Sequence, residues 1–235
     1  MAERRVVCLQ RWTDLLFLHW RFPVERIREL VPDPLEIDVF DGSAWVGAVA
    51  FEIRAARIPL APPAAGLRFP EINLRTYVRH GGESGVFFLS LDAASRVMVA
   101  GGRGVYGLPY HRAEMSVERR AGVVRYESVR ASNASARFSA RARLGDRAGP
   151  ALPATLGHFL VERYAFFRVS GRGVQAVGVR HEPYPVREAE VETLEEGLLS
   201  AVGLTASGPP VSSLFADRVE AEILEGRLPG CGRRP

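Results

Sequence analysis

Ten residues, Phe69 to Val78, read FPEINLRTYV and constrain the fold more tightly than any other stretch. An extended chain turns successive side chains to opposite faces. Glu71, Asn73, Arg75 and Tyr77 therefore share one face, while Ile72, Leu74, Thr76 and Val78 share the other. Such a strand has two homes. It can lie half-exposed in an antiparallel sheet with its polar side in water, or it can line a closed barrel whose interior holds a ligand. Taken alone, the stretch favours the first.

The same period recurs along the chain. Arg5 to Trp20 is apolar and aromatic and predicts a long strand, interrupted by Asp14 and His19. His19, beside Trp20, is either a core imidazole satisfied by a carbonyl or a pocket residue. Leu35–Phe40 and Ala44–Ile53 flank Asp41-Gly42 and predict a hairpin. HGGESG (80–85) predicts a tight turn into VFFLSLDA (86–93). Glu114–Glu118, Val123–Ser132 and Ala134–Leu144 predict a meander whose many arginines form a solvated outer face. Phe166–Val169, Val174–His181, Pro209–Phe215 and Val219–Leu224 complete the extended set, and Arg54–Arg68 is a Pro- and Ala-rich loop. Short helices are predicted at Pro23–Val31, at Ala93–Ala100 with Asp92 as its cap, at Thr155–Tyr164 and at Glu188–Val202. Residues 227–235 predict a disordered tail.

From Gly101 to Met115 the chain reads GGRGVYGLPYHRAEM. Its glycines and Pro109 argue against a regular helix and for a bent, rigid segment. Arg103, Tyr106, Tyr110 and His111 become candidate pocket residues. The plainer alternative is a hairpin-like connection with both tyrosines in the core and Arg103 at the surface.

A helix-like run, then G-R-x-x-x-G-x-P over Gly102–Pro109, two further residues and a strand resembles the active-site segment of the acetoacetate decarboxylase-like superfamily. VERIRELVPDPLEID (24–38) is similar to that superfamily's entry helix and turn. FLHW (17–20), FPEINLRTYV, FFLSLDA (87–93), YGLPY (106–110) and VERY (161–164) resemble its YqjF-like branch, over roughly residues 5–225. The resemblance implies a mainly β, β-rich α+β domain over residues 1–226, a closed antiparallel barrel with a few short helices. It turns Glu71 and Arg75 inward and places Glu52 loosely at a pocket acid position. It puts Tyr110 where the relatives carry an amine, and implies that the Arg of VERY braces a pocket wall. Arg75 lies about 13 Å along the strand from Glu71, so the two can flank a small ligand. The implied pocket is bounded by Glu71, Asn73, Arg75, Tyr77, Arg103, Tyr106, Tyr110, His111 and His19.

In those relatives the Pro is followed by a pair of lysines, the first forming a Schiff base; here Pro109 is followed by Tyr110 and His111. All 31 basic residues of the 235 are arginine. Arg cannot form the imine, because its guanidinium stays protonated. The expected chemistry is therefore a lyase or isomerase step on a small oxo acid without a Schiff base. Glu71 would be general base, Tyr110 a neutral donor, and Arg75 or Arg103 the anion holder. The competing class is a ligand-binding or sensing module with the same barrel; a filled barrel without a ligand is the third.

No cofactor is expected. The five His show no metal spacing, and Cys8 and Cys231 form no thiolate set, although a disulfide between them stays open. With 27 acidic residues interleaved among the arginines, nucleic acid is not an expected partner. No apolar run suits a bilayer, so the reading is a soluble cytoplasmic protein whose partner is a small, anionic molecule, with homo-oligomerisation left open.

Overall fold

A computed structural model describes residues 4–60, 66–146 and 148–226. The chain opens with β1 (Val6–Phe22), α1 (Val24–Arg28), β2 (Glu36–Ile37), β3 (Ala44–Arg57), β4 (Leu67–His80) and β5 (Glu83–Ala93). Next come α2 (Arg96–Tyr106), β6 (Tyr110–Arg120), β7 (Val123–Arg130), β8 (Asn133–Leu144) and β9 (Gly149–Pro150). It finishes with α3 (Leu156–Val161), β10 (Ala165–Ser170), β11 (Gly173–His181), β12 (Pro185–Glu196), α4 (Leu198–Ala201) and β13 (Ser212–Leu224). The expected tail and Cys231 lie outside the described residues.

One sheet takes in every strand, in the order β2-β4-β3-β1-β13-β11-β10-β5-β6-β7-β8-β12-β9. Pairing of β4 with β5 joins the row back on itself, so β4, β3, β1, β13, β11, β10 and β5 form a closed hydrogen-bond circuit. Closure leaves those strands without a free edge. A second link, β12 to β13, folds the β6–β7–β8–β12 layer back over the circuit.

This layering settles the two-faced strand. Ile72, Leu74 and Val78 of β4 join Leu16, Leu18, Val46 and Ala48 in a core shared with Tyr126, Phe138 and Ala140 of the second layer. The opposite faces of β1, β3 and β4 pack Phe17, Val49, Phe51 and Tyr77 against α2 and α3 through Val99, Leu160 and Val161. Glu71, Asn73 and Arg75 fall on this second side and are buried. The polar face of β4 is thus covered by helices, and the half-exposed reading is wrong.

Local chemistry explains the turns. Asp41-Gly42, Gly81-Gly82 and Ala121-Gly122 each carry positive φ at both positions, the backbone that matches strand twist in a tight hairpin. The Asp41-Gly42 hairpin is confined to a Phe40–Ser43 bridge, because β2 pairs with Arg79 and Val78 of β4 and not with β3. Asp14, at φ 53°, marks a bulge where the β1–β3 register shifts between Thr13 and Leu16. Its side chain meets Arg119 at 3.2 Å.

Three expectations fail here. Gly101, Gly102 and Gly104 are helical, inside α2. Ser95 caps that helix by accepting from Met98 N, and Gly107, at φ 62°, ends it. Tertiary packing outweighs the low helix propensity of glycine: a Cβ on Gly102 would stand 2.3 Å from the Tyr110 ring, so only glycine lets α2 settle on β6. Asp92 does not cap α2. It is buried against Arg130, whose Nη2 donates to Oδ1 at 2.7 Å, so one meander arginine is core and not outer face. Glu188–Glu196 is strand, not helix, held between β8 and β13, and only Leu198–Ala201 coils.

Candidate functional site

A cavity of about 310 Å³ opens on the helix-covered side of β4. That is at the small end for a ligand site. Most of its wall is apolar, including Val49, Phe51, Phe88, Leu91, Phe166 and Val179. Into it β4 presents Glu71, Asn73 and Arg75, an alternating row produced by strand geometry alone.

Arg75 is 8% exposed. Its Nη2 donates to the Leu160 carbonyl at 2.9 Å, which also accepts from Tyr77 Oη at 2.8 Å. The short helix α3 thus supplies the oxygen that aims the guanidinium. Phe17 and Tyr77 flank it, each ring centroid 5.8 Å from Cζ. Among the described residues no carboxylate comes within ion-pair distance of Arg75, and its Nε has no hydrogen-bond partner. Asn73 Oδ1, two residues back on the same face, is also buried without a partner among the described residues. A buried charge is normally paired, so an anion in the cavity would meet a cation already stripped of water.

At the other end of the row, Tyr110 Oη donates to Glu71 Oε2 at 2.9 Å. Burial pushes the Glu71 carboxyl up from 4.5 to about 7, and the bond from Tyr110 draws it back only in part. Burial first, then the adjacent carboxylate, raises the Tyr110 phenol well above its ordinary range, so Tyr110 stays a donor. Glu71 is consequently an acid or base near neutrality.

Comparison with known proteins places the chain. The DUF2071 family, described as an uncharacterized conserved protein, matches residues 9–220. The chain belongs to DUF2071. It is 36% identical over 199 residues to the uncharacterized protein YqjF of Bacillus subtilis, covering 83% of this chain and 81% of that one. Among solved structures it is similar to acetoacetate decarboxylase from Legionella pneumophila, with TM-score 0.65, 15% identity and 96% and 90% of the two chains covered. It is also similar to the enduracididine biosynthesis enzyme MppR complexed with pyruvate, with TM-score 0.67, 16% identity and 97% and 91% covered. At these identities the structural likeness establishes the fold: the DUF2071 chain is acetoacetate decarboxylase-like.

The cavity gathers five of the residues singled out from sequence: Glu71, Asn73, Arg75, Tyr106 and Tyr110. The other four stand apart from the cavity lining. Tyr77 and His19 lie one layer behind it: Tyr77 spends its proton on Leu160, so His19 Nε2 must donate to Tyr77 Oη at 2.8 Å. Burial, helped by the Arg75 charge, pulls the His19 imidazole well below its usual range and keeps it neutral. His111 falls on the opposite face of β6 from Tyr110, as strand alternation requires. Arg103 is exposed on α2 and donates through Nε to the Tyr110 carbonyl at 2.6 Å, bracing the strand and not lining this cavity. Glu52 pairs with Arg54 at 2.7 Å, also away from the cavity.

Arg163 of the VERY motif lines the wall and is held by Asp38 at 2.7 Å. Its neighbour Glu162 is buried and accepts from Tyr184 N at 2.9 Å. Gln10, Trp12 and Tyr184 also line the cavity and went unrecognised in the sequence. Gln10 and Trp12 have one parity while Leu15 and Phe17 have the other, yet all four face the cavity because the Asp14 bulge inverts the alternation between them. Tyr184 lies in the loop between β11 and β12 and has no periodicity to betray it.

Proposed function

We propose that the cavity binds a small organic acid through Arg75, and that Glu71 with Tyr110 moves a proton on it without a covalent intermediate. The observation that carries the reading is a buried guanidinium, 8% exposed, with no carboxylate partner among the described residues and a wall position in a mostly apolar cavity. A fold that needed Arg75 only for stability would have paired it. MppR, a structural neighbour, was solved with pyruvate, and an oxo acid offers both a carboxylate for Arg75 and an acidic C–H.

The step is enolisation. The C–H bond beside the carbonyl breaks, its proton passes to a Glu71 carboxylate oxygen, and the electron pair moves to the carbonyl oxygen. Tyr110 turns its O–H from Glu71 to that oxygen as charge develops there. With its pKa about 7, Glu71 can take the proton and return it.

Solvent exchange tests this. In deuterated buffer, wild-type protein should wash deuterium into the C–H position of a bound 2-oxo or 3-oxo acid, followed by NMR, and Glu71→Gln should abolish the exchange. Tight binding of those acids without exchange would remove the catalytic part and leave a binding or sensing module, the reading that the missing lysine also favours.

A further inference from the structure

We infer that the acid held at Arg75 carries an apolar tail that runs to the cavity mouth, making the ligand an amphipathic monocarboxylate of medium chain length; this deepens the anion-binding reading above and rests on it. Arg75 is buried and lies far along β4 from Leu67, where that strand pairs with the end of β3. The open end lies where β3 runs out and α2 passes: Ile58 and Val105 line the cavity, yet are 64% and 68% exposed.

Between these ends the α2 wall is uncharged. Met98, Gly101, Gly102 and Val105 have the spacing of one helical face, and all four line the cavity. Gly101 keeps the passage wide, since a Cβ built on it would meet nothing within 4 Å. Leu60 and Val97, on the same two segments, are also exposed, at 96% and 66%. Single exposed apolar residues need no explanation, but a group of them continuous with an apolar cavity marks a binding surface. A short acid such as pyruvate would fill the Arg75 end and leave this passage without an occupant.

The test is calorimetric titration of the whole chain with straight-chain carboxylates from butanoate to decanoate, with the matching primary alcohols and pyruvate alongside. Affinity should rise by about fourfold for each added methylene until the mouth is reached, and the alcohols should bind far more weakly. Gly101→Leu, which plugs the passage with a better helix former, should remove the gain for long chains and leave pyruvate and butanoate unchanged. Affinity that stays flat with chain length while short acids bind would overturn the tail and spare the Arg75 reading. Gain with length that survives Arg75→Gln would mean adsorption at the rim and overturn it as well. Failure of every carboxylate to bind would overturn the tail and the anion site together.

Discussion

Replacing Glu71 by Gln isolates the cost of the buried carboxyl. Folding moves this group from its ordinary 4.5 to about 7, so the native state holds the proton more tightly than the unfolded chain does. The sign follows directly: stability from this group is complete below the unfolded value, falls as pH rises towards the folded value, and levels off above it. The span from 4.5 to about 7 corresponds to about 3 kcal/mol. Glutamine has nearly the same shape, stays neutral and can still accept from Tyr110. Glu71→Gln should therefore match wild type near the acid end and exceed it by up to about 3 kcal/mol above neutrality. Urea unfolding followed by tryptophan fluorescence across that range measures the difference, in which all shared titrations cancel. A gap that does not widen between mildly acidic and mildly alkaline buffer would refute the argument, because a carboxyl that ionises freely in the folded protein produces no such slope.

Arg75→Met and Arg130→Met form a contrasting pair. The first removes a charge without a carboxylate partner among the described residues and should leave stability unchanged or higher, while carboxylate affinity falls at least about tenfold. The second strands buried Asp92 and should cost about 3–5 kcal/mol; equal effects from thermal melts would contradict the assignment of Arg75 to ligand. In α2, Gly104→Ala meets no atom within 4 Å and should stabilise by up to about 1 kcal/mol. Gly102→Ala drives a Cβ into Tyr110 and should destabilise by about 1–3 kcal/mol; stabilisation by both would show that the contact yields freely. Borohydride with acetoacetate should leave no internal covalent adduct, and a stable mass increase on the Pro109–Met115 peptide would disprove this.

Much of this architecture is legible without coordinates. Alternation located β1, β3 to β8, β10, β11 and most of β13 to within a few residues, because a two-residue period with glycine-bearing turns is a local property. The row Glu71, Asn73, Arg75 could be read as one face, and the absence of lysine argued against imine chemistry. Glu188–Glu196 shows where local reading stops. Glutamate and leucine favour a helix there, yet pairing with β8 and β13 makes a strand, since ladder contacts from distant residues exceed propensities of a few tenths of a kcal/mol.

By itself, then, the sequence determined the periods, the turns, the family motifs and the absence of a lysine beside Pro109. Only the tertiary structure decided that the polar face of β4 is covered, that Arg75 has no carboxylate beside it among the described residues, and that the Asp14 bulge brings Gln10 and Trp12 round to the cavity. It alone decided that Tyr110 meets Glu71 while His111 looks the other way. The reason is physical. A side chain's face follows from its neighbours in the chain, whereas burial, pairing and a shifted pKa depend on what distant segments pack against that face.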